Sequence, residues 1–158
     1  MKLSKNLSIY IVASTFYEEL SDQLIRGATD RTLDEACTIA PETDNLVPLE
    51  PTIIKVPGAF EIPGMVKQIL DNKNPDLIVT LGVLIKGETN HFEYISESVA
   101  HSISKLTISS SIPIIFGVIT ALNYDQASER ALVSKKNKGA EAMETGLKML
   151  DLYDKHSK

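Results

Sequence analysis

The stretch Leu81 to Tyr94, LGVLIKGETNHFEY, joins the end of a predicted strand to the start of a predicted helix. The apolar run Leu77–Ile85 predicts a buried strand, and a helical pattern starts at Phe92. In a parallel α/β sheet, ligands bind beyond the carboxyl ends of the strands, and the free amides of a helix N-terminus can bind an anion. His91 lies at this junction, and an unperturbed histidine titrates at about pH 6.5. The loop therefore predicts an anion site beside a proton carrier.

Working outward, strand and helix signals alternate along the chain, which predicts a parallel sheet with right-handed crossovers. Strands are predicted at residues 7–13, 52–56, 77–85 and 114–119. Helices are predicted at about residues 17–35, 63–72, 92–109, 124–133 and 140–153, with a long loop at 37–51. The expected fold is a single-domain three-layer α/β sandwich of the flavodoxin-like kind, with helices on both faces of a four-stranded parallel sheet.

Size and composition restrict the class of protein. A chain of 158 residues that is 43% hydrophobic predicts one domain, residues 1–158, with one core. A net charge of -5 argues against a nucleic-acid surface, and no apolar run is long enough to span a membrane. The lone Cys37 excludes an internal disulfide and, with only three histidines, disfavours a zinc site. A short apolar start followed by Glu18 and Glu19 predicts a first strand rather than a signal peptide, hence a cytoplasmic protein.

Two further loops with candidate chemistry follow the first and second predicted strands. Phe16 is either a core aromatic or a stacking surface for a flat heterocycle, and the core reading is favoured for Phe16 taken alone. The segment VPGAFEIP, residues 56–63, has two prolines and a glycine that fix its backbone. Within it, Glu61 either accepts hydrogen bonds from ligand hydroxyls or only favours the helix N-terminus through its charge. The sequence leaves these two readings of Glu61 equal.

The fourth strand end, FGVIT at residues 116–120, is followed by Arg130 and Lys138. Each cation is either a solvated side chain or a phosphate ligand. A single histidine is more often structural than catalytic, but the position of His91 favours an acid/base role. Gly-x-Gly-x-x-Gly and Walker patterns are absent from the sequence. The residues alone thus predict a phosphate-sized site, a histidine acid/base and an aromatic surface.

Four motifs, in this order, resemble those of the lumazine synthase family. They are VPGAFEIP, LGVLIKGETNHFEY, FGVIT followed by Asp125-Gln126-Ala127, and Asn137-Lys138-Gly139. Any one of them is a weak signal, whereas four at compatible spacing are a strong one, and the match extends from the first strand to the last helix. The resemblance implies condensation of 5-amino-6-ribitylaminouracil with 3,4-dihydroxy-2-butanone 4-phosphate. The product would be 6,7-dimethyl-8-ribityllumazine, formed with release of phosphate and water and without a metal or other cofactor.

The resemblance also implies a role for individual residues. The pyrimidine and its ribityl chain would be bound by Phe16, Ala59, Phe60, Glu61, Val83, Leu84 and Ile85. Glu88 and Thr89 would bind the phosphate together with Arg130, and His91 would be the acid/base. Phe116 and Lys138 would complete the site from a neighbouring subunit, because family sites lie between the subunits of a homopentamer.

The resemblance implies small-molecule substrates and further copies of the chain as partners, and it leaves open whether riboflavin synthase also associates. The sequence leaves a pentamer and a larger shell both open. Lys86 stands where the family commonly has arginine, Tyr17 where asparagine is common, and Asp125 where glutamate is usual. Two other functions remain as alternatives: a flavin- or lumazine-binding protein without turnover, and a flavodoxin-like interaction module. The combination of Phe16, His91 and Arg130 favours the enzyme over both.

Overall fold

The four predicted strands form one parallel sheet in the computed structural model, which describes residues 7–39 and 49–156. The strands are β1 (Ile9–Ser14), β2 (Thr52–Val56), β3 (Leu77–Ile85) and β4 (Ile114–Ala121). Their order in the sheet is β2-β1-β3-β4, and every neighbouring pair is parallel. All four carboxyl ends therefore lie at one edge of the sheet, as the strand-helix alternation predicts.

Helices cover both faces of this sheet. They are α1 (Glu18–Ile39), α2 (Ile62–Asn72), α3 (His91–Ser109), α4 (Tyr124–Ala131) and α5 (Lys138–His156), and a single 3₁₀ turn covers Ala59–Glu61. Buried side chains of α1, α4 and α5 pack on one face, and those of α2 and α3 pack on the other. Successive residues of β1 alternate between these layers, with Ile11 in one and Val12 in the other. The predicted three-layer sandwich is confirmed.

The central strand β3 explains why one apolar run dominates the sequence. It pairs with β1 on one side and with β4 on the other, and Leu77 to Val83 are all buried. A strand buried on both faces reads as a continuous hydrophobic run. Its one buried hydroxyl, that of Thr80, donates to the carbonyl oxygen of Ile115 at 2.8 Å. Burial decreases at Leu84 and Ile85, so the strand emerges from the core where the site was predicted.

Several predicted boundaries differ from the structure. Helix α1 continues to Ile39, so the start of the predicted loop 37–51 is helical, and residues 40–48 lie outside the described part. Strand β4 is two residues longer than predicted. Helix α4 ends at Ala131 rather than at residue 133, because the backbone amide of Val133 donates to the Gln23 side chain instead of continuing the helix. Such a contact across the fold leaves no periodic signal in the sequence.

Helix α5 starts at Lys138, two residues earlier than predicted, and its first turn packs directly against α1. Asn137 adopts a positive φ of 44°, and its side-chain oxygen accepts a hydrogen bond from the Ala140 amide at 3.3 Å. A Cβ at Gly139 would lie 2.0 Å from the carbonyl oxygen of Leu24, so the two helix backbones are in direct contact there. This contact fixes the position of Lys138, the residue before Gly139, at the start of α5.

We expect Gly139→Ala to destabilise the protein, because a helix backbone cannot move aside as a flexible side chain can. Overpacking of this kind costs about 1–3 kcal/mol, and a clash with backbone belongs at or above the upper end. Gly64→Ala in α2 is the matched control, since a Cβ there would meet no atom within 4 Å apart from its sequence neighbours and the backbone of its own helix. It should be neutral or slightly stabilising, because alanine favours helix over glycine by roughly 0.5–1 kcal/mol.

Urea unfolding at equal protein concentration measures both variants. Equal midpoints for Gly139→Ala and wild type would show that the α1–α5 contact can relax.

Candidate active site

A cavity of about 470 Å³ opens at the carboxyl ends of β1, β2 and β3, and it is called the strand-end cavity below. Its volume is in the usual range for small-molecule sites. Nine of the residues predicted from the sequence line it: Phe16, Ala59, Phe60, Glu61, Val83, Leu84, Ile85, Thr89 and His91. The parallel sheet brings these residues together because the loops after its three strands all emerge at the same edge.

Two exposed aromatic side chains border the strand-end cavity. Phe16, directly after β1, is 74% exposed, and Phe60 on the 3₁₀ turn is 55% exposed. A core role for Phe16 is therefore wrong for this chain. The Tyr17 ring meets the Phe16 ring edge-on, with centroids 5.1 Å apart and planes at 69°, and Tyr17 also packs against the core. Tyr17 lines the cavity as well and was missed as a site residue, although its place beside Phe16 was a signal.

The Glu61 carboxylate folds back over the loop that precedes it. Its Oε2 atom lies 2.7 Å from the position that a Cβ on Gly58 would occupy. The backbone amide of Glu61 also donates to the Gly58 carbonyl at 3.3 Å. Gly58 has extended backbone angles that any residue can adopt, so a side chain at this position would displace the flexible end of Glu61 without straining the backbone. The Glu61 side chain makes no capping bond to α2, and the structure leaves both readings of Glu61 in place, ligand binding and a favourable charge at the helix N-terminus.

The loop before α3 brings Thr89 and His91 to the strand-end cavity. The His91 amide donates to the Thr89 hydroxyl at 3.4 Å, and the Asn90 side chain makes no capping bond to the helix. The helix start therefore offers amides and a hydroxyl to an anion beside an imidazole. Glu88 is exposed and does not line the cavity, and its negative carboxylate would repel a phosphate. Any contact of Glu88 with phosphate would have to come from its backbone amide.

A second concave region, of about 310 Å³, runs along β4 and is called the β4-edge groove. Every residue from Ile115 to Thr120 lines it. Consecutive strand residues point to opposite faces of a sheet, so a groove that touches all of them follows the edge of the strand. Within residues 7–39 and 49–156, β4 pairs with β3 alone, which leaves this edge open. An open strand edge is a surface on which another chain can pack.

The β4-edge groove gathers three of the predicted site residues: Phe116, Arg130 and Lys138. Phe116 is 45% exposed. One guanidinium nitrogen of Arg130 donates to the Gln126 carbonyl at 2.9 Å, and this contact anchors the cation at the groove. The Lys138 ammonium donates to both carboxylate oxygens of Glu141, at 2.7 and 2.6 Å. Glu141 lines the groove and was missed, although its spacing of three residues from Lys138 on a helix was a signal.

The grouping of the predicted phosphate ligands differs from the expectation in one respect. The resemblance grouped Arg130 with Glu88 and Thr89, but in a single chain Arg130 lines the β4-edge groove and Thr89 lines the strand-end cavity. Arg130 thus belongs with Phe116 and Lys138. The missing signal was the position of α4 beside the outer edge of β4, which depends on long-range packing.

Two further findings concern the described residues as a whole. They contain no cluster of three or more His, Cys, Asp or Glu side chains that could hold a metal ion. None of the helices in the described ranges is both long and apolar enough to cross a bilayer.

Comparison with known proteins identifies the family. The sequence profile of the 6,7-dimethyl-8-ribityllumazine synthase family matches residues 6–154. The 6,7-dimethyl-8-ribityllumazine synthase of Chlamydia trachomatis serovar L2 is 39% identical over 152 residues, which cover 96% of this chain and 91% of that protein. The enzyme of the same name from Chlamydia muridarum is 38% identical over 154 residues, 97% of this chain and 92% of that protein. The chain therefore belongs to the 6,7-dimethyl-8-ribityllumazine synthase family.

Proposed function

We propose that this protein is a transferase of riboflavin biosynthesis that forms 6,7-dimethyl-8-ribityllumazine. Its substrates are 5-amino-6-ribitylaminouracil and 3,4-dihydroxy-2-butanone 4-phosphate, and phosphate and water are released. The family match over residues 6–154 supports the activity. The observation that carries the proposal is that an exposed aromatic ring, a carboxylate and an imidazole all line one cavity of about 470 Å³.

The residues of the strand-end cavity suit the pyrimidine substrate. A flat heterocycle stacks on the exposed Phe16 ring, which Tyr17 supports from the side. The Glu61 carboxylate accepts hydrogen bonds from ribityl hydroxyls. Val83, Leu84 and Ile85 present the end of β3 to the ring edge. These contacts orient the substrate and exclude water from its reacting edge.

The reaction itself needs proton transfers and an anion site more than it needs a nucleophilic side chain. The 5-amino group of the pyrimidine adds to the ketone, and one water leaves as the imine forms. Phosphate is then eliminated, the ribityl-bearing amine adds to the carbonyl group that this elimination generates, and a second water leaves as the ring closes. His91, at the start of α3, moves protons in these steps, while Thr89 and the nearby amides hold the phosphate. Bringing two substrates together supplies much of the acceleration, because oriented reactants reach effective molarities of about 10⁵ M or more.

The complete site is proposed to form between two copies of the chain. The strand-end cavity supplies Phe16, Thr89 and His91, and the β4-edge groove of a neighbour supplies Phe116, Arg130 and Lys138. A heterocycle stacked on Phe16 then gains a second apolar surface, and its phosphate-bearing partner gains cations. The two surfaces differ, so the contact is head-to-tail, and such contacts close into a ring. The proposed ring is a homopentamer.

Substitution of His91 tests the catalytic role. We expect His91→Ala to lower kcat by on the order of 10²-fold, because a positioned acid/base group contributes at least this much. The KM of the pyrimidine should change little, since its stacking surface remains. Steady-state assays that follow lumazine absorbance, with circular dichroism as the check on folding, measure the effect. A His91→Ala variant with wild-type kcat would contradict the proton-transfer role. If the wild-type protein binds lumazine but shows no turnover, the proposed enzymatic activity is wrong and the protein is a lumazine-binding protein.

Substitution of Gly58 tests whether the position of Glu61 matters. Gly58→Ala should raise the KM of the pyrimidine by about tenfold, because the new Cβ displaces a carboxylate whose hydrogen bonds are worth roughly 1.5–3 kcal/mol. The same change in a Glu61→Ala background should have no further effect, since the displaced group is gone. If the two effects simply add in the double variant, Gly58 acts independently of Glu61.

Mixed assemblies test the shared site. Arg130→Ala and His91→Ala subunits, each poorly active alone, should regain activity when unfolded and refolded together. In random rings of equal proportions, about one quarter of the interfaces join an intact His91 to an intact Arg130 of the neighbour. If both residues of one site came from the same subunit, no interface would be complete. Rings that are proven to be mixed by mass spectrometry and that stay inactive would exclude the shared site.

A further inference from the structure

Lys86 is attached to the fold at two points, one on each side of the loop that follows β3. Its backbone amide donates to the Ala121 carbonyl at 2.9 Å and continues the pairing of β3 with β4. Its side-chain ammonium donates to the Glu93 carboxylate at 2.5 Å, in the first turn of α3. The side chain therefore spans residues 87–90 and links the strand end directly to the helix start.

The segment that this ion pair spans has little packing of its own. Residues 87–90 are all exposed, and a Cβ on Gly87 would meet no atom within 4 Å apart from those of its sequence neighbours. The hydrogen bond between the Thr89 hydroxyl and the His91 amide is long, at 3.4 Å. Exposed segments with few packed contacts open at low free-energy cost. Something other than burial must therefore hold Thr89 and His91 at the strand-end cavity.

The start of α3 likewise lacks a side-chain cap from Asn90. The Glu93 carboxylate is instead fixed by two donors. The hydrogen bond from Lys86, and after it one from the backbone amide of Glu93 itself, holds the pKa of this carboxyl below its usual value. Its negative charge also lies in the first turn, where it complements the helix dipole. Glu93 is thus tied both to its own helix and to the end of β3.

We propose that the Lys86–Glu93 ion pair is a clamp that positions Thr89 and His91 for the reaction by closing the loop at residues 87–90. Neither residue of the clamp lines the strand-end cavity, so both are positioning residues rather than catalytic ones. This inference rests on the proposed function, because it assumes that Thr89 binds phosphate and His91 moves protons.

The clamp should affect activity more than stability. Exposed ion pairs contribute little to global stability, and both side chains of this pair are almost half exposed. A small misplacement of a catalytic group, in contrast, can lower the rate by as much as about 10²-fold. If the pair is a clamp, breaking it should loosen the loop and weaken catalysis while the unfolding midpoint stays unchanged. A merely structural pair would not separate these effects on activity and on stability.

A matched set of four variants tests the clamp. Glu93→Gln and Lys86→Met each remove one of the two charges of the ion pair with little change in side-chain length, and Lys86→Arg keeps both charges. Asp71→Asn is the control, because the Lys67–Asp71 pair has the same 2.5 Å separation but lies within α2. Each variant is measured in three ways: millisecond hydrogen exchange of the amides at residues 88–91, steady-state kinetics with both substrates, and urea unfolding.

For Glu93→Gln and Lys86→Met we expect exchange at residues 88–91 to be about three- to tenfold faster. We expect kcat to fall and the KM of the phosphate-bearing substrate to rise several-fold, with the KM of the pyrimidine unchanged. Combining the two changes should add little, since either one alone removes the pair. Lys86→Arg and Asp71→Asn should both resemble wild type in all three measurements.

Unchanged exchange at residues 88–91 in Glu93→Gln, or an equal change in Asp71→Asn, would overturn the clamp. So would a lower unfolding midpoint with faster exchange throughout the chain, because the pair would then be only structural. The exchange measurement needs no substrate. If wild type has no turnover, the proposed function fails, whereas the closing of the loop by the ion pair is still tested.

Discussion

The parallel pairing of β3 with β1 and β4 is the constraint on which the rest of the structure depends. Because β3 is buried on both faces, its register is fixed by packing as well as by hydrogen bonds. Because every pair of neighbouring strands in the sheet is parallel, the loops after β1, β2 and β3 must emerge at one edge. The aromatic ring of Phe16, the carboxylate of Glu61 and the imidazole of His91 therefore all line the cavity at that edge.

The same sheet explains why one chain holds the predicted site in two parts. β4 is an edge strand in the described residues, so no further strand of the same chain covers its outer edge. The groove along it holds Arg130 and Lys138 away from Thr89 and His91. Phe16 and Phe116 are both large, apolar and substantially exposed, which a single chain gains nothing from. Head-to-tail association would cover both rings and would also bring Arg130 and Lys138 of one copy to the loop that carries Thr89 in the next.

Two different kinds of short-range contact then position the residues of the two halves of the site. Backbone contact between Gly139 and Leu24 fixes the start of α5, and with it Lys138, through steric exclusion that has little freedom to relax. The loop between Lys86 and Glu93 has no comparable packing and is spanned by an exposed ion pair. Rigid packing would suit the part of the proposed site that meets a neighbour in the ring. A loosely packed loop with an electrostatic link would suit the part that admits two substrates and releases phosphate.

The sequence by itself determined the element types, the alternation of strand and helix, and nine of the residues that line the strand-end cavity, several of them through the resemblance to the family. It could do so because hydrophobic period and turn residues act locally, and because a parallel sheet sends every strand end to one edge. Only the tertiary structure decided that the Tyr17 ring packs edge-on against the Phe16 ring and that Arg130 and Glu141 lie on the β4-edge groove. It also decided that α4 ends before Val133, whose backbone amide donates to the side chain of Gln23. These outcomes depend on which distant elements pack together, and a period within one element carries no information about its neighbours.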